Sequence, residues 1–320
     1  MRRNHFVALF AAICCAAYPS AGEELPLPIS KRDNVVGELR YTLVGRGDSL
    51  LDIARAFDVG HDEILLANPQ LNRWVPKVGA EVMIPSFYVL PAGERKGILL
   101  NLAELRLYFF PPGKQVVHTF PVSIGDYDWS TPQGTTRVVS KQVNPPWYPP
   151  KSIREEHAED GEELPLMVPG GDPDNPLGEF ALKLGLPGYL IHSTDQRRSF
   201  GIGMRVSHGC IRLYPEDMEK LFSMVPVGTP VRIIDQSVKA GILNDQVFLE
   251  MHQALIEDGD PTVGRPSVDE VLERLRPYQR EGFDINPDTV DKMWRRSDGV
   301  PMAVTSQRAY EEEFWGNPYF

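Results

Sequence analysis

A chain of 320 residues has room for two domains plus extensions, and 42% apolar content is ordinary for a soluble globular protein. The net charge of −11 excludes the basic face that a nucleic-acid binder needs. The charge is uneven: residues 241–320 carry 16 acidic and 8 basic side chains, so the body of the chain is close to neutral.

Arg2 and Arg3 precede the apolar run from Phe6 to Ala17, and Ser20-Ala21-Gly22 supplies small residues for cleavage. Residues 1–22 therefore read as a secretory signal peptide, too short to span a membrane. Cys14 and Cys15 leave with it; Ile13 and Cys14 are poor residues to precede a lipidated cysteine. No other run is long and apolar enough to cross a bilayer, so the mature chain is expected to be soluble outside the cytoplasm. Residues 23–39, with Pro26 and Pro28, form a linker.

Residues 40–86 read as a small strand–helix–helix–strand unit. Tyr41-Thr42-Leu43-Val44 is a strand, and Asp48 or Ser49 can cap a helix whose Leu50, Ile53, Ala54 and Phe57 share one face. Asp62 can cap a second helix that Asn68-Pro69 ends, and Glu81 to Ile84 is the closing strand. No cluster here carries catalytic chemistry.

From residue 96 to 237 the pattern is mainly β: Ile98–Leu102, Leu105–Phe110, Val116–Ser123 and Thr135–Val143 are strand-like, which predicts a sandwich or barrel. Asn144 to Pro176 interrupts the strands with prolines, charge and Gly170-Gly171. Trp147 and Tyr148 among those prolines argue against disorder and point to a flap over a groove; a surface insertion that packs on the barrel is the alternative. Gly188 to Ile191 is a buried strand that delivers His192. The turn Ser207-His208-Gly209-Cys210 follows, with Cys210 the only cysteine beyond position 15. A free thiol in an exported protein has an oxidising environment and no intramolecular partner, so it needs a reason, and nucleophilic catalysis supplies one. His192 is the candidate base, and the Gly209 and Cys210 N–H groups are candidate oxyanion donors. The rival reading, a zinc held by Cys210, His208 and His192, lacks any HxxxH or CxxC pair and ranks below. Pro215 with Glu216 and Asp217 opens a helix.

In residues 238–320, Val247-Phe248-Leu249 reads as a strand, Ser267 with Glu270 caps a helix ended by Pro277, and Pro287–Arg296 reads as another. Glu311 to Glu313, followed by Phe314 and Trp315, has no assigned role.

His192, Gly203 and Ser207-His208-Gly209-Cys210-Ile211-Arg212 resemble the signature of the YkuD-type L,D-transpeptidases of bacterial cell walls. Pro121–Gly125 and Thr131–Thr136 look like strands of the same family. Arg212 in place of asparagine matches its arginine-bearing, ErfK/YbiS-like branch. The resemblance implies Cys210 as nucleophile, His192 as base oriented by the Ser193 carbonyl, and His208 and Gly209 at the oxyanion side. It places Ser207, Arg212, Trp147 and Tyr148 at the substrate; a structural salt bridge is an equal reading for Arg212. Residues 40–86 are similar to a LysM domain, which implies glycan contacts at Gly47, Asp48, Ser49, Asn68 and Pro69. Together these imply a periplasmic enzyme with no metal or organic cofactor.

The implied substrate is peptidoglycan, both its tetrapeptide stems and its glycan strands. Cys210 would displace D-alanine to form a thioester that an amine then resolves. The acceptor stays open between another stem's diaminopimelate and the lysine of an outer-membrane lipoprotein, with the branch favouring the second. A cysteine amidase or carboxypeptidase and a non-catalytic wall-binding protein are the competing readings.

Overall fold

The computed structural model describes residues 26–30, 33–195, 198–253 and 265–305. The expected signal peptide and the Glu311–Trp315 segment lie outside them. Strands Leu27–Pro28, Val116–Pro121, Arg106–Phe110, Gly97–Asn101, Pro230–Ile234, Gly134–Val143, Phe180–Leu184, Leu190–His192 and Ile211–Arg212 hydrogen-bond in that order into one nine-stranded sheet. Its joints are antiparallel except two, Gly97–Asn101 with Pro230–Ile234 and Leu190–His192 with Ile211–Arg212.

Just past Pro121, Ser123 exchanges both backbone hydrogen bonds with Arg212, at 2.9 and 3.0 Å. The last strand therefore meets the continuation of the second, and the sheet curls almost to closure. Ile124–Gly125, paired parallel with Arg205–Ser207, extends this seam. The sheet is thus one curled layer, not two stacked ones. Alternation turns Leu100, Phe109, Phe120, Leu182, Ile191 and Ile211 toward a single core. Val36, Tyr88 and Leu90 cover part of the other face against Leu99, Tyr108 and Phe110. Central strands such as Arg106–Phe110 are therefore buried on both sides.

In the first unit, strand Arg40–Leu43 pairs antiparallel with Glu81–Ile84, and helices α1 (Leu50–Ala56) and α2 (His61–Ala67) lie between them in sequence. Ser49 caps α1 in a reciprocal box with Asp52. Gly60, not the expected Asp62, occupies the cap of α2; Asp62 falls inside its first turn, where a carboxylate suits the positive end. The unit is docked closely: the His61 and Asp62 N–H groups donate to Ile202 O and Gly203 O at 2.8 and 3.3 Å. Arg55 forks onto Glu216 at 2.7 and 2.8 Å. A Cβ on Gly60 would meet the Gly203 Cα at 2.9 Å, so the pair of glycines permits this approach.

The interruption between Gly134–Val143 and Phe180–Leu184 contains α3 (Lys151–Glu159), and α4 (Pro215–Met224) follows the Cys210 segment with Met218 and Leu221 in the core. Beyond residue 237, Val238–Leu243 and Gln246–Met251 form a hairpin whose Asn244-Asp245 turn has φ of 51° and 59°, both in the left-handed region. Met302–Ala303 adds a third strand. Helices α5 (Val268–Arg280) and α6 (Pro287–Arg296) pack on this sheet through Val271, Leu275 and Met293. Helix α5 runs through Pro277 instead of ending there. Pro277 forfeits one hydrogen bond near the end, while the following Tyr278 donates to Ala240 O at 2.7 Å and keeps the last turn packed.

Candidate active site

The site lies on the seam where the sheet closes. Ile191 pairs with Ile211 and His192 with Arg212 in parallel register. With both isoleucines turned into the core, strand alternation sends His192 and Arg212 to the opposite face. Cys210 immediately precedes Ile211, and its thiol donates to Gly188 O at 3.6 Å. The parallel pairing thereby brings the Cys210 segment alongside the strand end that carries His192, across 18 positions of sequence.

His192 is 2% exposed, and its Nδ1 lies 2.5 Å from the Ser193 carbonyl. A carbonyl only accepts, so Nδ1 carries the proton and Nε2 is left as the ring's basic nitrogen. Burial, with the Arg212 charge second, drives the imidazole down to about 3, overriding the carbonyls of Ser193 and Leu177. It is therefore neutral at physiological pH. The half-buried Cys210 thiol is pushed upward by burial, an effect opposed by a Leu190 backbone hydrogen bond and by Arg212. The resting groups are a thiol, donating to Gly188 O, and a neutral imidazole. Brought into contact, such a pair can deprotonate the sulfur as it attacks, without storing a thiolate beforehand.

The turn holding Cys210 is fixed by its own side chains. Ser207, expected at the substrate, is fully buried; its hydroxyl donates to Cys210 O at 2.6 Å and accepts from the Gly209 N–H at 3.1 Å. The Gly209 N–H is therefore engaged inside the turn and not aimed at a bound carbonyl as the sequence suggested. Gly209 has φ of 98°, and a Cβ there would meet the Tyr189 ring at 2.9 Å, so glycine is what the turn tolerates. Thr131 ties the turn to the seam, donating to Gly209 O at 2.9 Å and accepting from Gly125 N at 3.0 Å.

Arg212 makes no ion pair among the described residues. Among those residues its guanidinium has one hydrogen bond, a long 3.5 Å contact from Nη1 to Val206 O, and its buried Nε has no partner. Burial, then the neighbouring Arg198 charge, lowers its pKa. Among the described residues no salt bridge to Arg212 forms, although the Cys210 and Asp195 charges act on it in the raising direction.

His208 Nε2 lies 2.9 Å from the Glu156 carboxylate of α3, and its ring sits 5.5 Å from that of Trp129. Trp147 is half-buried and bonds Val168 across the base of the flap through both backbone groups, at 2.9 and 2.8 Å, whereas Tyr148 is 66% exposed. Sequence reasoning missed Thr131, Trp129 and Glu156; Glu156 is 52 positions from His208, and no spacing rule could link them.

In the first unit, Asn68 is 1% exposed and its amide bonds Ile64 O and both backbone groups of Met83, so it is a staple and not a surface ligand. Ser49 is consumed by its cap, and Asp48 accepts from Gly45 N at 2.8 Å. Gly47 and Pro69 are exposed, as is Trp74 nearby in sequence.

Residues 95–233 match the model of the YkuD L,D-transpeptidase catalytic domain. The chain is 43% identical over 290 residues to the probable L,D-transpeptidase YcfS of Escherichia coli K12, covering 88% of this chain and 89% of that protein. The chain belongs to the L,D-transpeptidase family. ErfK/SrfK of the same organism is 37% identical over 314 residues, covering 96% and 98%, and YbiS is 35% identical over 303 residues, covering 93% and 97%. Both are named probable L,D-transpeptidases. No helix among the described residues is long and apolar enough to cross a membrane.

Proposed function

We propose that this protein is an exported peptidoglycan L,D-transpeptidase acting from the periplasm. The observation that carries the reading is the seam itself: a neutral imidazole with Nδ1 tied to a carbonyl ends the strand that pairs with the segment following Cys210, the one cysteine of the described residues, and lies across from a guanidinium whose Nε has no partner among those residues. The relatives' names support the reaction class.

In the proposed cycle, Cys210 Sγ attacks the carbonyl of the L-centre of diaminopimelate in a tetrapeptide stem while His192 Nε2 takes the thiol proton. The Cys210 N–H faces the developing oxyanion; a donor of this kind is worth ~3–4 kcal/mol. As the tetrahedral species collapses, His192 returns the proton to the departing D-alanine amine and a thioester remains. An acceptor amine then attacks the thioester, loses its proton to His192, and restores the thiol. Arg212 holds a stem carboxylate, for which a guanidinium fork is suited. The first unit is a LysM-like glycan reader through its exposed Gly47–Pro69 side. Its docking on Ile202, Gly203 and Glu216 favours a rigid guide for the strand over a loose tether. The acceptor is a second stem's diaminopimelate or the lysine of an outer-membrane lipoprotein.

The test is to incubate the enzyme with disaccharide-tetrapeptide and a graded supply of acceptor amine, following free D-alanine and new amide. Release of D-alanine with amide formation rising with amine, both lost in Cys210→Ala, is expected. D-alanine release with water alone as acceptor would make it a carboxypeptidase, and no release would remove the activity.

A further inference from the structure

The flap carries the inference. Residues 144–176 are ordered around α3 and closed at the base: Trp147 and Val168 exchange backbone bonds, and the buried Asn175 donates to Pro145 O and Pro169 O, each at 2.9 Å. Ile153 anchors the helix as its buried residue. From this fixed base one carboxylate reaches the nucleophile's turn, Glu156 to His208 Nε2 at 2.9 Å. His208 is two residues from Cys210 and is flanked on another side by Trp129, whose own N–H is held by Asp126 at 2.9 Å. Of the neighbouring side chains on α3, Glu155 pairs with Lys151 at 2.8 Å within the helix, and the next ring, His157, meets Glu162.

We propose that Glu156 is a positioning residue: its bond to His208 latches the α3 flap onto the Ser207–Cys210 turn and closes that side of the thiol's groove. A carboxylate can only accept, so the latch also fixes a proton on His208 Nε2 and sets the ring's orientation between Glu156 and Trp129. A stem enters when the latch opens and is held when it re-forms. The claim rests on Cys210 being the reactive thiol of the proposed function, but closure itself can be read without turnover.

The experiment compares Glu156→Ala, Glu156→Gln and the same-helix control Glu155→Ala in the full chain. The first readout is the rate at which a small uncharged alkylating agent modifies Cys210, followed by intact mass. Glu156→Ala should speed alkylation about two- to fivefold, the population shift that a half-exposed ion pair supports. Glu156→Gln, which retains an acceptor, should fall between it and wild type, and Glu155→Ala should match wild type. The second readout is the split between KM and kcat for disaccharide-tetrapeptide, where Glu156→Ala should raise KM more than it lowers kcat. Unchanged alkylation in a folded Glu156→Ala, or equal acceleration by Glu155→Ala, overturns the latch. Faster alkylation with no turnover in any variant, wild type included, would instead overturn the transpeptidase reading and leave the latch standing.

Discussion

Lys239 is a fully buried cation and Arg212 a partly buried one, and they meet opposite company. Lys239 is fully buried between Glu104 and Glu250, with contacts of 2.5 and 2.6 Å, and His252 adds a 2.6 Å bond to Glu250. The two carboxylates continue outward, Glu104 to Tyr108 and Asn101, Glu250 to the Val89 N–H. Glu104, Glu250 and His252 have the make-up of a metal triad, yet the ammonium stands where an ion would. Every charge there is answered, and the cluster welds the curled sheet to the hairpin Val238–Met251. Arg212, on the seam, has a partnerless Nε and one long contact. A buried network with its bonds completed is structure; a partly buried cation with a donor left over can take a ligand.

The largest expected effect breaks the completed cluster. Lys239→Met strands two buried carboxylates and should cost about 3–5 kcal/mol in denaturant unfolding. Adding Glu104→Gln and Glu250→Gln should restore most of that loss, because neutral groups replace the stranded charges. A Lys239→Met protein as stable as wild type would show that the cluster is not the weld.

Next in size is a pH effect from His192. The unfolded chain takes up a proton near 6.5 that the folded chain refuses until about 3, so the folded state is penalised as pH falls through that window. Stability should drop by up to about 1.4 kcal/mol per pH unit below 6.5, and His192→Gln should flatten that slope. Equal acid slopes in both proteins would contradict a buried neutral ring.

The smallest effect on the fold, and a large one on substrate, is expected at Arg212. Arg212→Lys removes the fork and the orphaned Nε, so stability should change little while KM for the tetrapeptide rises about 10- to 100-fold. A stability loss like that of Lys239→Met would make the two cations alike and end the distinction.

Much of this site is legible in the sequence because the residue types are scarce. One cysteine after position 15, and a histidine 18 positions before it, narrow the chemistry by themselves. What the spacing leaves open, the parallel register of Ile191 with Ile211 narrows, by pairing the strand that ends in His192 with the segment that follows Cys210. Several of the misreadings concern short polar residues in turns. Ser207, Ser49 and Asn68 look like ligands in sequence because they bear hydrogen-bonding groups, but those groups satisfy the local backbone first. Glu156 and Lys239 are illegible for a different reason: their partners are joined only by tertiary folding. In sequence, Lys239 merely alternates with apolar neighbours.

The central claim is that Cys210, with its proton taken by His192, carries the acyl group. The most direct measurement is the intact mass of the protein mixed with disaccharide-tetrapeptide, beside Cys210→Ala and His192→Gln. The account predicts a thioester adduct lacking the terminal D-alanine on wild type alone, discharged by added amine. A folded, reduced wild-type protein that gains no mass and frees no D-alanine, or an adduct that persists in Cys210→Ala, would contradict it.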